Sequence, residues 1–249
     1  MASLAGKTVL VVGGSSGIGY GVAKASLLSR ASRVIIASSS QTKVEAALAR
    51  LKEDISKAGS AVEGTFVGEV ADASDTKIVR ALLERVGEID HLVWTSGETL
   101  RVGFPNIDLE ANKDVFDLKF WGALTAAQVA KIRPGGSITF TIGQTIVKPL
   151  KGWSLVTGVA GAVDSLTRGL AVDLAPIRVN VISPGVVKTE FWDTFPPEQR
   201  EKVLENAAKT SLVQHVADAD EIAEAFLFCM KCQYITGQRI EVDGGAVFV

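Results

Sequence analysis

Apolar runs of strand length alternate with longer helical patterns from one end of this chain to the other. Seven runs read as strands, namely KTVLVVGG, SRVIIASS, GTFVGEV, DHLVWTSG, GSITFTI, IRVNVISPG and RIEVDGG. Helical spacing covers residues 17–30, 41–58, 74–87, 110–132, 154–175, 197–209 and 219–231. Because parallel strands are joined by crossover helices, this order predicts a doubly wound α/β fold. We expect one domain over residues 1–249, with a seven-stranded parallel sheet and helices on both faces.

The charge balance argues against a polyanionic partner. The chain has 26 basic and 28 acidic residues, a net charge of −2, and no long run of like charge, so we expect no nucleic-acid partner. The apolar run at the N-terminus is too short to span a membrane and lacks a basic segment with a cleavage site. We therefore predict a cytoplasmic protein without a membrane partner.

A glycine-rich turn follows the first strand and opens the first helix. Its residues are Gly13, Ser15, Ser16, Gly17, Ile18 and Gly19, in a GxxxGxG spacing. Glycines permit a tight turn and close backbone approach, and the helix N-terminus presents free N–H groups to a phosphate. Ligands of parallel α/β sheets bind at the carboxyl ends of the strands. The turn therefore predicts a dinucleotide site.

The end of the second strand indicates which dinucleotide is bound. Sites for NAD usually place an acid there, but this chain has Ser38, Ser39 and Ser40, with Lys43 slightly further on. Hydroxyl groups can donate hydrogen bonds to a 2′-phosphate, whereas a carboxylate would repel it. This segment predicts NADP(H), unless it is a polar loop without contacts.

The GxxxGxG turn, the segment VDSLTRGLAVDLAPIRVN, the segment SPGVVKT and the C-terminal YITGQRIEVDGG together resemble the short-chain dehydrogenase/reductase family. The resemblance runs the length of the chain and implies a Rossmann fold. It also implies that the glycine turn holds the pyrophosphate and the adenosine ribose. By the same resemblance, Glu69 and Val70 meet adenine and Gly97 closes over the ribose. Pro184, Gly185, Val187 and Thr189 then line the nicotinamide.

The resemblance fails at the four residues that members of this family use for catalysis. The positions of its Asn, Ser, Tyr and Lys are matched here by Lys119, Gly143, Val156 and Ala160. Without the Tyr–Lys pair the usual proton donor is missing, although hydride transfer to an activated substrate such as an iminium remains possible.

Four residues are candidates for the catalytic role: Lys119, Trp153, Ser154 and Thr157. Lys119 would place a cation near the reacting centre, or it is a surface lysine of its helix. Thr141 and Gln144 flank the position of the lost Ser, and the loop after the fourth strand adds Glu98, Arg101 and Phe104. Trp94, Trp153 and the aromatic segment 191–195, within a lid at about 190–215, suggest a flat, apolar or polycyclic small-molecule substrate, or else they fill the core. No metal site is predicted, since Cys229 and Cys232 read as packed helix residues.

Three functions stay open. The first is an NADP(H)-dependent oxidoreductase without Tyr–Lys catalysis, acting on an imine-like, iminium-like or bulky apolar substrate. The second is an inactive cofactor-binding partner protein, and the third is a non-redox isomerase or cyclase. The lost tetrad beside a kept cofactor site resembles a fungal subgroup whose members reduce an iminium in indole-alkaloid pathways and then guide a cycloaddition.

Members of the family usually pair through their two long helices. Helices 110–132 and 154–175 would then make a homodimer or homotetramer, with small residues of one facing larger residues of the other. The residues expected on the exposed faces are Ala123, Ala126, Ala127 and Ala130 and Leu166, Leu170 and Leu174.

Overall fold

The central sheet confirms the fold predicted from the alternation of strands and helices. The structure is a computed structural model, which describes residues 3–59, 63–97 and 100–249. Seven parallel strands lie in the order β3-β2-β1-β4-β5-β6-β9. They are β1 (Thr8–Val12), β2 (Arg33–Ser38), β3 (Thr65–Val70), β4 (Glu88–Trp94), β5 (Lys131–Thr141), β6 (Arg178–Pro184) and β9 (Arg239–Val242). A separate parallel pair joins β7 (Val187–Lys188) to β8 (Ala217–Asp218).

Helices cover both faces of the sheet and bury two apolar clusters. The described chain contains α1 (Gly17–Leu28), α2 (Gln41–Lys57), α3 (Thr76–Val86), α4 (Gly122–Val129), α5 (Ser154–Asp173), α6 (Pro197–Lys209) and α7 (Ala219–Lys231). Alternate residues of β1 point to opposite faces, as the pleat of a strand requires. Leu10 and Val12 join the cluster under α3, α4 and α5, whereas Val9 and Val11 join the cluster under α1, α2 and α7.

The helix predicted over residues 110–132 is wrong at both ends. The segment begins with a 3-10 turn at Glu110–Asn112, is helical again from residue 115, widens into a π-helical turn at Asp117–Trp121, and forms α4 from Gly122. It ends at Val129, because Lys131 already pairs with Glu88 in the sheet. The wide turn fits the close packing of Gly122, where a Cβ would lie 2.1 Å from the Ala73 carbonyl oxygen.

The faces predicted for pairing between subunits are also largely wrong. Ala123, Ala126 and Ala127 of α4 and Leu170 of α5 are buried in the core of this chain. The small size of the three alanines permits the close approach of α4 to the sheet. The side of α5 that faces outward carries other residues, among them Val172, which is 77% exposed.

Helix α5 is the one helix in the described part of the chain that is long and apolar enough to cross a membrane by length and composition. Its buried residues include Val163 and Leu170, which belong to the cluster that contains the central strands. One face of α5 therefore packs on the sheet, while its other face is exposed.

A buried histidine makes the stability of the fold depend on pH. His91 in β4 is 1% exposed, and its Nδ1 lies 2.9 Å from the hydroxyl of Ser137 in β5. Burial disfavours the charged ring and lowers the pKa of His91 to about 4. The unfolded chain binds this proton below about pH 6.5, and the folded chain does so only near pH 4. The contribution of the neutral His91 ring to the free energy of unfolding is therefore complete above the pKa of the unfolded chain. It is lost as the pH falls toward the pKa of the folded chain.

We expect the free energy of unfolding to decrease between pH 7 and pH 4, with about 3 kcal/mol of that decrease due to His91. Urea unfolding at several pH values measures it. The variant His91→Gln should be less stable at pH 7 but should show a flatter dependence on pH. The matched control is His215→Gln, since His215 is exposed and its pKa is raised by its hydrogen bond to Glu221. Equal slopes for wild type and His91→Gln would refute the assignment.

Candidate functional site

A groove of about 770 Å³ runs along the carboxyl ends of β1 to β4. In the strand order, β1 lies between β2 and β4, so the chain changes direction across the sheet at this point. Such a switch point is where open α/β sheets bind ligands. The groove is lined by Gly13, Ser15, Ser16, Gly17, Ile18, Gly19, Ser38, Ser39, Lys43, Ala71, Asp72, Ala73, Ser74, Thr95, Ser96, Gly97, Asp114, Asp117, Leu118, Thr189, Glu190, Phe191 and Thr194.

All six residues predicted from the glycine turn line this groove. Two of the glycines are required by close contacts. A Cβ on Gly13 would lie 2.5 Å from the Ser96 backbone nitrogen, and one on Gly19 would lie 2.2 Å from the Gly13 carbonyl oxygen. Gly13 also has a φ of 88°, which favours glycine. The turn therefore sits against the end of β4, with the first amides of α1 facing the groove.

The three serines after β2 have different surroundings. Ser38 is 9% exposed, and its hydroxyl lies 2.8 Å from that of Ser15 in the glycine turn. Ser39 is exposed in the groove beside Lys43. Ser40 is instead the N-cap of α2, where its hydroxyl accepts a hydrogen bond from the Lys43 N–H. Among the described residues that line the groove, Ser38, Ser39 and Lys43 are present and Ser40 is not.

The two residues that the resemblance places at adenine, Glu69 and Val70, end β3 and do not line the described part of the groove. Glu69 forms an ion pair with Arg85 at 2.9 Å. Asp72 lies there, with its carboxylate accepting from the N–H and hydroxyl of Ser74. These bonds lower the pKa of Asp72. In place of Glu69 and Val70, the groove is thus lined by the residues that directly follow β3, namely Ala71, Asp72, Ala73 and Ser74.

The segment after β6 approaches the groove at its end. Pro184 is buried as the last residue of β6, and Gly185 donates its N–H to the Val242 carbonyl oxygen at 3.1 Å. Val187 is buried in β7, and its carbonyl oxygen accepts from the Trp192 indole at 2.8 Å. Of the four residues predicted to line the nicotinamide, Thr189 is the one that lines this groove.

Glu190 is a groove residue that sequence reasoning missed. One carboxylate oxygen accepts from the Gly17 N–H at 2.8 Å, and the other accepts from the Arg50 guanidinium at 2.7 Å. Burial acts to raise the pKa of Glu190, because it disfavours the charged carboxylate. The hydrogen bonds from its own backbone N–H, from the Arg50 guanidinium and from the Gly17 N–H outweigh burial and lower this pKa. An ionised carboxylate thus lies on the first amide of α1.

The four positions matched to the family's catalytic residues surround one small pocket of about 160 Å³. Lys119, Gly143, Val156 and Ala160 all line it. The other lining residues are Leu100, Arg101, Val115, Ile142, Thr145, Trp153, Val159 and Val163. Most of this wall is apolar, and its charged side chains are Lys119 and Arg101.

Lys119 lies where the pocket meets the groove. Its Nζ is 3.7 Å from the point that a Cβ on Gly97 would occupy, and Gly97 lines the groove. The π-helical turn Asp117–Trp121 carries this lysine. The Arg101 guanidinium donates to Asn112 and Asp114 at 2.9 and 3.0 Å, which orients it across the pocket wall.

The other catalytic candidates differ in whether they line the small pocket. Trp153 lines the pocket, whereas Ser154 is exposed and neither Ser154 nor Thr157 is among the described residues of its wall. Thr141 donates its hydroxyl to the Trp94 carbonyl oxygen at 3.0 Å. Glu98 lies outside the described residues.

Trp94 does not belong to an aromatic ligand surface, because it is 1% exposed and packs within the core. Phe191, Trp192 and Phe195 do form an aromatic cluster, with ring centroids 5.0 to 5.6 Å apart. Phe191 lines the groove.

A second cavity of about 930 Å³ lies beneath α6. Gln144 and Lys148 line it from the loop after β5, and Val203 and Ala207 line it from α6. Gln144 directly follows Gly143 of the small pocket. Several residues of the segment 190–215, which the sequence predicts to be a lid, thus line this cavity.

Comparison with known proteins places this geometry in one family. A family model described as "SDR-like rossmann domain" matches residues 1–249. The "Short-chain dehydrogenase/reductase fsr5" of Gibberella fujikuroi is 35% identical over 257 residues, covering 99% of this chain and 97% of that protein.

Two solved structures are also similar. That of the MalC reductase/Diels–Alderase from Malbranchea aurantiaca has a TM-score of 0.91 at 33% identity, with 99% of this chain and 98% of that chain covered. A small-chain dehydrogenase in complex with NADPH has a TM-score of 0.79 at 30% identity, with 98% and 99% covered.

The glycine turn gives a prediction about stability. The variant Gly19→Ala should lower the free energy of unfolding by about 1–3 kcal/mol, because its Cβ would overlap the Gly13 carbonyl and the Thr95 hydroxyl. The control Gly158→Ala makes the same change in α5, where a Cβ meets nothing within 4 Å. Helix propensity predicts that it stabilises by up to about 1 kcal/mol. Urea titration of both variants measures the difference, and equal effects would contradict the proposed close packing.

Proposed function

We propose that this chain, which belongs to the short-chain dehydrogenase/reductase family, is an NADP(H)-dependent reductase of a bulky, mostly apolar substrate with a carbon–nitrogen double bond. The single observation that carries the proposal is the position of Lys119. It brings a cationic proton donor to the junction of the dinucleotide groove and an apolar pocket.

The groove has the residues expected for a dinucleotide that carries a 2′-phosphate. The space at Gly13 and Gly19 is closed to a Cβ, so the backbone can approach a ligand closely. Ser15, Ser38, Ser39 and Lys43 supply hydroxyl groups and a cation where the resemblance places the adenosine ribose. We propose that these groups hold the 2′-phosphate, which is costly to desolvate without donors. The NADPH complex of a related dehydrogenase supports this assignment.

The pocket walls explain why the substrate would be an imine. The resemblance places Val156 and Ala160, both in the pocket wall, at the positions of the Tyr–Lys pair that activates a ketone. Without that pair, the substrate must itself be more electrophilic or must be activated by another donor. A lysine ammonium has three N–H donors and can hydrogen-bond to an imine nitrogen.

Bound NADPH would supply a hydride to the imine carbon. The Lys119 ammonium would then give a proton to the nitrogen as the π electrons of the double bond move onto it, leaving a secondary amine and a neutral lysine. Solvent at the open side of the groove returns the proton to Lys119. The apolar wall of Val159, Ala160 and Val163 would hold the hydrocarbon part of the substrate and exclude water.

A related structure supports a reductase and suggests a second activity. The MalC protein is described as a reductase and Diels–Alderase. By analogy, we propose that the cavity beneath α6 could also hold a reduced product while it cyclises. We further propose a cytoplasmic homo-oligomer, formed through surfaces other than the buried alanine face of α4.

We expect the purified protein to oxidise NADPH with a dihydro-β-carboline, a cyclic imine fused to an indole, far faster than with cyclohexanone. The ratio of kcat/KM values, followed by NADPH absorbance, measures this. Comparable rates for the ketone would overturn the argument from the apolar pocket. Tight NADPH binding without turnover of any imine would favour the inactive partner protein instead.

The variant Lys119→Met should lower kcat for the neutral imine by about 100-fold, since it removes a positioned proton donor. An N-methyl iminium salt of the same ring system accepts no proton and is repelled by a cation. Its kcat should therefore be unchanged or higher in Lys119→Met. Lys113→Met serves as control, because Lys113 is exposed and pairs with Glu110. Equal losses with both substrates would show that Lys119 is merely structural.

The cofactor preference is tested by Ser38→Asp. We expect wild type to bind NADPH at least about tenfold more tightly than NADH, because two hydrogen bonds to a phosphate would each contribute about 1.5–3 kcal/mol. Ser38→Asp should reverse this ratio in calorimetric titrations, since the carboxylate repels the phosphate and accepts from ribose hydroxyls. Ser40→Ala should leave the ratio intact while costing about 1 kcal/mol of stability, since Ser40 caps α2. An unchanged ratio in Ser38→Asp would refute the placement of the phosphate.

A further inference from the structure

The first backbone N–H of α1 donates a hydrogen bond to a carboxylate of the same chain, that of Glu190. Gly17 is the first residue of α1, and its N–H donates to Glu190 Oε2 at 2.8 Å. A helix N-terminus with a glycine turn binds anions through these free amides. The proposed function places the cofactor's pyrophosphate at this turn, so Glu190 and the pyrophosphate would compete for one location.

A second set of contacts holds Glu190 in this position. Its Oε1 accepts from the Arg50 guanidinium at 2.7 Å. Arg50 itself stacks 3.9 Å above the ring centroid of Tyr20, and the Tyr20 hydroxyl donates to Asp54 at 2.8 Å. Glu190 is therefore held between α1 and α2 by the Gly17 N–H and by Arg50, and Arg50 is held in turn by its contact with Tyr20.

Glu190 also belongs to a segment that forms part of the groove wall. It begins a 3-10 turn, Glu190–Thr194, from which Phe191 and Thr194 line the groove. Within this turn, the ring of Phe191 packs on that of Trp192, with ring centroids 5.0 Å apart. A displacement of the Glu190 carboxylate would move this wall as well.

We propose that Glu190 is an affinity-setting residue that occupies the pyrophosphate position in the cofactor-free protein and is displaced when NADP(H) binds. Two anions cannot share one amide without repulsion, and the repulsion is strong at contact distance. Part of the binding free energy of the cofactor is then used to release Glu190 from Gly17 and Arg50. Entry of the cofactor is thereby coupled to movement of the aromatic turn beside the substrate. This inference rests on the proposed function, because it assumes that the groove binds NADP(H).

The test compares wild type with Glu190→Gln by calorimetry against two ligands. Glutamine keeps the shape and an oxygen for the Gly17 N–H, so the variant removes mainly the charge. NADPH carries the pyrophosphate, whereas adenosine 2′-monophosphate carries the adenosine part without it. We expect Glu190→Gln to bind NADPH about tenfold more tightly, since a smaller fraction of the protein is in the competing state. Its affinity for adenosine 2′-monophosphate should not change.

Asp193→Asn is the matched control within the same turn. Asp193 pairs with Arg200 at 2.6 Å and is not among the described residues of the groove, so both affinities should stay at wild-type values. Circular dichroism melting verifies that both variants are folded.

The outcomes separate this inference from the proposed function. Unchanged or weaker NADPH binding by a folded Glu190→Gln would overturn the role of Glu190 alone, as would an equal gain for both ligands. Failure of wild type and variant to bind NADPH at all would overturn the proposed function and this inference together.

Discussion

The contact between the glycine turn and the end of β4 determines the geometry of the candidate site. Gly13 lies so close to Ser96, and Gly19 so close to Gly13 and Thr95, that neither position has room for a side chain. This contact sets the start of α1 relative to the sheet and forms the floor of the groove. The Lys119 ammonium lies near Gly97, and the Glu190 carboxylate accepts from the Gly17 N–H, so both charged groups are next to glycines that line the groove. The groove therefore adjoins both the small pocket and the aromatic turn.

The fold was predictable because it depends on periodicity, which a sequence displays directly. The seven strands and their parallel order follow from apolar runs separated by helical spacing, and helices α2 and α7 begin at the predicted residues. The turn after β1 was predictable because its GxxxGxG spacing directly follows a predicted strand and opens a predicted helix. The contacts that exclude a side chain at Gly13 and Gly19, with Ser96 and Thr95, are distant in the chain and came only from the structure.

The errors arise where tertiary contacts decide. Glu69 and Asp72 are both acids near the end of β3, and only the pairing of Glu69 with Arg85 shows which one faces the groove. Ser40 resembles Ser38 and Ser39 in sequence, but its hydroxyl caps α2. The alanines of α4 looked like a surface for another subunit, because small residues permit close approach to a sheet as well as to a helix. Glu190 had no local signal, since its partners Gly17 and Arg50 are distant in the chain.

The π-helical turn at Asp117–Trp121 has a consequence for how this site can change. Here the Gly122 N–H reaches back to the Asp117 carbonyl oxygen, so the turn holds one residue more than an α-helical turn. An extra residue of this kind alters the direction of nearby side chains while α4 beyond it keeps its packing against Ala73 and the core. Gain or loss of a single residue in this turn would therefore bring a different side chain toward Gly97 without rebuilding the sheet. The side chain at this junction of groove and pocket is thus able to change through a one-residue change in length, while the fold that surrounds it is retained.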